Sequence, residues 1–395
     1  MPKINPDILF WSRETAGLNL ESAAHKLSMR DGVSMSAPEK LKSYETGARE
    51  PSRSLLLKMS KAYRRPLLVF YLNRPPAVGD RGEDYRTLPD TIESQDNAQV
   101  DALIRDIKAR QSIVRETLLE DEDTPHLPFI GSINTDLSVA DAANRIRQLL
   151  VLDIEEFRFK RRHEEAFKFL REKVEALGIY VILKGNLGSH HSNIDVRVFR
   201  GFALADDIAP FVVINNRDAK SAWSFTLLHE IVHVLLGQTG VSGSFAELKI
   251  EKYCNDIASE ILLPANEFDR FHIYDVAPEE QARLISDYAF SKKVSSSHIA
   301  YRLFLRGDID DTQWQEFSEY FKQQWLEQKQ REHAKNKKKD GGPNPYVLKK
   351  FNLGALVPLA QRLNYSGALS TTKTGMLLET KPLKVHRLFD SAQLA

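Results

Sequence analysis

The segment that most constrains this chain is residues 224–237, SFTLLHEIVHVLLG. Leu227, Leu228, Ile231, Val232, Val234 and Leu235 leave a helix no polar face, and a helix apolar all round is buried. Within it stand His229, Glu230 and His233, an HExxH motif. Histidines four apart project from one helical face, so two imidazoles can converge on a metal about 2.0–2.1 Å away. Glu230, beside the first histidine, leans over the same opening and can take a proton from a water there. Two imidazoles and a carboxylate inside an apolar helix are costly without a partner such as a metal. The rival reading is a paired His/Glu cluster on a surface, and the apolar flanks oppose it.

A catalytic zinc keeps three protein ligands and one open position, so a third ligand is needed. Residues 246–264, AELKIEKYCNDIASEILLP, read as a second helix ended by Pro264, with Ile250, Cys254, Ile257 and Ile261 as its buried stripe. Glu251 stands beside that stripe, three residues before Cys254, and is a sound candidate. Spacing alone leaves Glu247, Glu260 and Cys254 open as well, although Cys254 on the apolar stripe reads better as a core residue.

The 395 residues predict two to four domains. With 42% hydrophobic residues the chain is neither collagenous nor grossly disordered. No apolar run approaches the ~18 residues of a membrane span. The opening MPKINPDILFWSRE has no apolar stretch before its first acidic residue, so secretion is not expected. One cysteine, Cys254, excludes an intrachain disulfide and fits a reducing compartment. A cytoplasmic protein is the expectation.

Net charge is +1, yet residues 1–74 carry +6 and the rest −5. A basic module on a mildly acidic body points to a polyanion for that module alone. Residues 1–74 read as a bundle of five short helices, the third stopping at Gly47 and the last spanning 66–72. Residues 77–135 form a helical connector, with Val100, Leu103, Ile104, Ile107 and Ile113 as the stripe of its helix. The domain at 136–330 opens with two helices over 138–178. Three strand-like runs follow, at 179–185, 194–206 and 210–216, before the apolar helix from about 219 to 236. Residues 331–344 are a basic Gly/Pro linker, and 345–395 a small C-terminal module with Leu353, Leu356, Val357, Leu359 and Ala360 at helical spacing. The fold class is α+β: an all-α helix-turn-helix bundle, then a zincin-like domain with a small β-sheet.

Two resemblances sharpen this. The elements GLNLESAAHKL, KLKSYETGAREPS, LLLKMSKAY and PLLVFYL are similar to a repressor-type (XRE, phage Cro-like) helix-turn-helix. The segment before the reading helix, about 37–44, is several residues longer than that family's usual turn. Double-stranded DNA is then the implied partner of residues 1–74, with Lys40, Lys42 and Ser43 the polar side chains able to reach bases or phosphates. A vestigial helix-turn-helix kept for packing or dimerisation is the alternative.

The run VRVFRGFALADDIAPFVVINNRDAKSAWSFTLLHEIVHVLLG, then EKYCNDIASEILLP, resembles the ImmA/IrrE family of zinc metallopeptidases. EDYRTL, GIYVILKG and VSSSHIAYRL match its longer members, and the likeness covers about residues 5–325. The resemblance implies Zn2+ held by His229, His233 and Glu251, with Glu230 as general base. It places Glu251 three residues before the Cys254-Asn255 pair and ahead of Leu263-Pro264. It implies an endopeptidase acting on a regulatory protein such as a repressor, in bacterial stress response, mobile-element control or a toxin–antitoxin pair. A cognate toxin and a second copy of the chain are further partners open to it, and a membrane is not one. The rival class is a DNA-binding regulator or antitoxin whose zinc serves structure or sensing. His298, and His190-His191 in the loop GNLGSHHSN, read better as ordinary structural histidines than as site residues.

Overall fold

The computed structural model describes residues 4–32, 34–72, 74, 94–120, 124–188, 192–238, 245–273, 276–337 and 344–391. They fall into two compact units, one drawn from 1–81, 87–108 and 186–199, the other from 82–86, 109–185 and 200–395.

The first unit begins with α1 (Pro6–Glu14), α2 (Leu20–Lys26), α3 (Ala37–Glu45) and α4 (Arg53–Tyr63). Each starts where a short polar side chain can bond the exposed amides of a first turn: Asn5, Asn19, Ser36 and Ser52 all do so. Ser36 and Glu39 complete a capping box on α3, and Gly47, at φ +75°, turns the chain just after it. Residues 66–72 form a 3-10 turn, Leu67–Tyr71, rather than an α-helix. Apolar side chains of all these elements meet in one core around Leu9, Leu41, Leu56 and Phe70.

One ion pair sits inside that core. Arg13 Nε and Nη2 donate to the two Glu45 carboxylate oxygens at 2.7 and 3.0 Å, and Nη1 donates to Leu18 O at 2.7 Å. It ties α1 to α3. Burial alone would lower the Arg13 pKa, but the Glu45 carboxylate more than offsets this and holds it above its ordinary value.

α5 (Ser94–Leu119) has its residues up to Lys108 in the first unit and the rest in the second. Residues 186–199 belong to the first unit, so the strand expected over 194–206 does not form as one piece. Asp195 is the reason. Its carboxylate accepts from Arg197 N at 2.8 Å and its carbonyl from Val198 N at 3.0 Å, which closes a turn where the ladder would run.

The second unit holds α6 (Val139–Leu149), α7 (Ile154–Phe159), α8 (His163–Glu175), β1 (Tyr180–Leu183), β2 (Gly201–Leu204), β3 (Phe211–Ile214), α9 (Lys220–Leu236), α10 (Phe245–Leu262), α11 (Ala265–Phe268), α12 (Pro278–Lys292), α13 (Ser296–Arg306), α14 (Asp311–Lys337), α15 (Pro345–Leu353), α16 (Leu356–Tyr365), α17 (Thr371–Leu377) and α18 (Val385–Asp390). Three helices replace the two expected over 138–178. Val151 turns the chain at φ +46° and Asp153 then caps α7 through the amides of Glu155 and Glu156.

The sheet order is β1-β3-β2, with β1 parallel and β2 antiparallel to β3. Asn215 N donates to Arg200 O at 2.8 Å, and Gly201 pairs with Ile214 in the same ladder. The hydrogen-bonded pairs are therefore Phe202–Val213 and Leu204–Phe211, and Gly201 and Ala203 turn their N–H and C=O to the outer edge of β2. One face of the sheet, with Val181, Leu183, Ala203, Val212 and Ile214, joins the core around α9. α9 packs against β2, β3, α8 and α10, and α10 also packs on α6.

The C-terminal module is not simply appended. α15 packs along β1, Arg171 of α8 donates to the carbonyls of Phe351 and Asn352, and Ala355 N donates to Glu175 Oε1 at 3.0 Å. The Glu379 carboxylate pairs with both Arg110 and Lys184, the former almost fully buried. Of the expected linker, 331–337 continue α14 and 344 caps α15, while 338–343 lie outside the described residues.

Candidate metal centre

α9 is buried on every side from Thr226 to Leu235, as its composition requires. Its one-turn spacing sets His229 and His233 with Nε2 atoms 3.2 Å apart. α10 supplies Glu251, whose Oε2 lies 3.3 Å from His229 Nε2 and whose Oε1 lies 3.3 Å from His233 Nε2. The His229 and His233 side chains are 0% and 4% exposed, against 21% for Glu251. Glu251 is thus the most exposed member of the cluster.

Tetrahedral bonds of about 2.0–2.1 Å place neighbouring ligand atoms about 3.3 Å apart. Here the two Nε2 atoms are 3.2 Å apart, and the Glu251 carboxylate spans them, with one oxygen 3.3 Å from each. Two imidazoles and a carboxylate are also a donor set that zinc favours. The residues present thus fit a zinc ion with three protein ligands. Burial alone would raise the Glu251 carboxyl. Hydrogen bonds to His229 and His233 and their charge outweigh it, and hold the carboxyl well below its usual range.

Glu230 is outside this trio. It is 1% exposed, and its Oε1 faces the backbone of β2 at Gly201. His229 and this carboxylate thus face different neighbours although they are adjacent in sequence.

Cys254 is fully buried, as expected of a core residue, yet its Sγ lies 3.8 Å from His233 Nδ1. An N–H on Nδ1 donated to that sulfur leaves the Nε2 lone pair turned to the cluster. Glu260 points elsewhere: its Oε2 accepts from Ala265 N at 3.0 Å, at the end of α10. His298 is half-buried beside Phe225 and bonds to Ser259 Oγ at 3.1 Å. Desolvation, then the neighbouring Arg302 charge, pushes it down to about 3. His190 and His191 lie outside the described residues.

On α3, Lys40 Nζ donates to Arg30 O at 2.8 Å and Ser43 Oγ to Lys40 O at 2.7 Å. Both are partly buried, whereas Lys42 is exposed. Of the three side chains expected to face DNA, Lys42 alone projects without a bond to the module's own backbone.

Sequence reasoning passed over two neighbours of the site, Gly201 and the Cys254 thiol acting on His233. The first left a signal. A glycine inside a strand often marks close approach of another group, and FRGFALAD carries one.

Residues 174–303 match the family model of the IrrE N-terminal-like domain, Peptidase_M78. The matched stretch runs from the end of α8 into α13 and includes His229, Glu230, His233 and Glu251. The match supports a domain of metallopeptidase type. No curated protein and no solved structure matches the chain. The matched stretch contains the sheet, α9 and α10, so the family match and the donor cluster coincide. Among the described residues, no helix is long and apolar enough to cross a membrane.

Proposed function

We propose that the chain is a zinc-dependent endopeptidase fused to a DNA-binding helix-turn-helix module, and that it cleaves a regulatory protein such as a repressor. The observation that carries the peptidase reading is the His229–His233–Glu251 cluster, its two Nε2 atoms 3.2 Å apart and each 3.3 Å from one Glu251 oxygen, with Glu230 next to it in the chain and outside it. Zinc bound there supplies a Lewis acid that polarises a scissile carbonyl and acidifies the water next to it. Glu230 takes the proton from the attacking water and passes it to the leaving amine. The outer edge of β2, at Gly201 and Ala203, holds an extended substrate as an added strand, its main chain bonded to those two residues. The Cys254 sulfur keeps His233 turned toward the cluster.

The DNA-binding half rests on the +6 charge of residues 1–74, on the helix order α1–α4 and on exposed Lys42. A repressor, a toxin–antitoxin partner or a stress regulator as target follows from the family likeness.

The test separates ligand from base. Replacing His229, His233 or Glu251 with Ala removes stoichiometric zinc. Glu230→Gln keeps the zinc and the fold, and lowers cleavage of the native partner by about 10²–10⁴-fold. If Glu230→Gln leaves the biological response intact while the ligand variants abolish it, the metal serves structure or sensing, and the chain is a non-proteolytic regulator.

A further inference from the structure

β2 crosses α9 at Gly201, and there is no room there for a side chain. A Cβ on Gly201 would stand 2.6 Å from Glu230 Oε1, 2.7 Å from Thr226 Cγ2 and 3.1 Å from Val213 O. Even attractive C–H···O contacts keep carbon and oxygen about 3.3–3.6 Å apart, so alanine would force something to move. Gly201 is not among the residues with positive φ. Its backbone conformation suits any residue, and space is what demands glycine here.

The three neighbours differ in what they can yield. Val213 O belongs to the β3 backbone inside the sheet. Thr226 is 2% exposed on a buried helix, and a β-branched side chain there has few rotamers. Glu230 has the most torsional freedom, and its carboxylate makes the closest contact.

We propose that Gly201 is a positioning residue for Glu230. Its missing side chain is the bay in which the carboxylate rests. Because the N–H and C=O of Gly201 also face the outer edge of β2, the bay holds the base alongside any peptide paired to that edge. This rests on the reading of Glu230 as the base, and it adds the device that places it.

A double-mutant cycle tests it in the full chain. Gly201→Ala lowers the melting temperature of the metal-free protein, and Glu230→Ala, which empties the bay, recovers most of that loss. Zinc affinity, read by competition with a chromophoric chelator, stays at the wild-type value because the three donors are untouched. On a peptide that the wild type cleaves from a quenched-fluorescent library, Gly201→Ala lowers kcat by about 10²-fold with KM little changed, the scale of a ~1 Å misplacement. Added to Glu230→Gln it lowers kcat no further. Thr226→Ser removes the methyl contact and leaves the carboxylate contact, so Gly201→Ala with Thr226→Ser stays impaired. An equal stability loss with and without the Glu230 side chain overturns the proposal, as does an unchanged kcat or recovery by Thr226→Ser. A wild type that binds no zinc and cleaves nothing sinks the peptidase reading instead, while the stability cycle still judges Gly201 by itself.

Discussion

Both units of this protein bury charged groups, and they do so in opposite ways. In the first, the Arg13 guanidinium offers donors and Glu45 two acceptor oxygens, so the pair satisfies itself bidentately. In the second, His229, His233 and Glu251 bring lone-pair-bearing atoms within 4.8 Å of one another. Such a set is complete only with extra protons or a cation. The difference separates a buried pair that ties helices together from a buried cluster shaped for a ligand. Chemical complementarity, more than burial, tells them apart.

The largest expected effect breaks the first of these. Arg13→Ala leaves Glu45 as an uncompensated buried charge, which costs about 3–5 kcal/mol. Hydrogen exchange across residues 5–72 should show the loss confined to the first unit. Arg13→Met with Glu45→Leu should recover most of it, since apolar replacement of a buried pair is often near neutral.

The second unit should respond to metal as the first does not. Zinc at about 100 times its dissociation constant stabilises by roughly 2.7 kcal/mol, which raises the melting temperature of a domain this size by about 5–10 °C. Calorimetry with zinc and then with a chelator should show that shift, and Glu251→Ala should remove it. A zinc shift in the unfolding of the first unit would erase the contrast.

A half-buried group sharpens it. His298 is kept neutral, bonded to Ser259, with its pKa pushed down to about 3. The unfolded chain binds that proton near the ordinary value of about 6.5 and the folded chain does not. Stability is therefore undiminished by this group above about pH 6.5 and falls as pH drops toward 3, by at most about 1.4 kcal/mol per pH unit. Denaturant midpoints measured from pH 7 to pH 4 should fall more steeply in the wild type than in His298→Gln.

The smallest effect concerns the surface of the first unit. Lys42→Ala should lower the salt dependence of duplex binding by about one unit of slope. Lys40→Ala should change it less, because its ammonium is bonded to Arg30 O. Equal slopes in both variants would mean that Lys40 leaves that bond to reach a phosphate.

Much of this could be read from the chain alone. The apolar run around His229-Glu230-Ile231-Val232-His233 dictated a buried helix, and helical periodicity put both imidazoles on one face, because both are local properties of the backbone. Gly47 likewise marked the end of its helix through local backbone geometry. Other features depend on which distant segments meet. Spacing left Glu247, Glu251, Glu260 and Cys254 open as the third ligand. The packing of α10 on α9 brought Glu251 to both imidazoles, and among the described side chains it left Glu260 on Ala265 and Cys254 behind His233. Enrichment in β-branched residues over 194–206 suggested one long strand, whereas a turn at Asp195 and pairing with β3 confined it to Gly201–Leu204. The docking of 345–391 on β1 and α8 was hidden because its decisive bonds join Arg171, Glu175, Arg110 and Lys184 to residues far along the chain. Sequence fixes what each helix must bury and where it can end; contacts across the fold decide which carboxylate completes a site, since that choice is made by side chains brought together only when the helices pack.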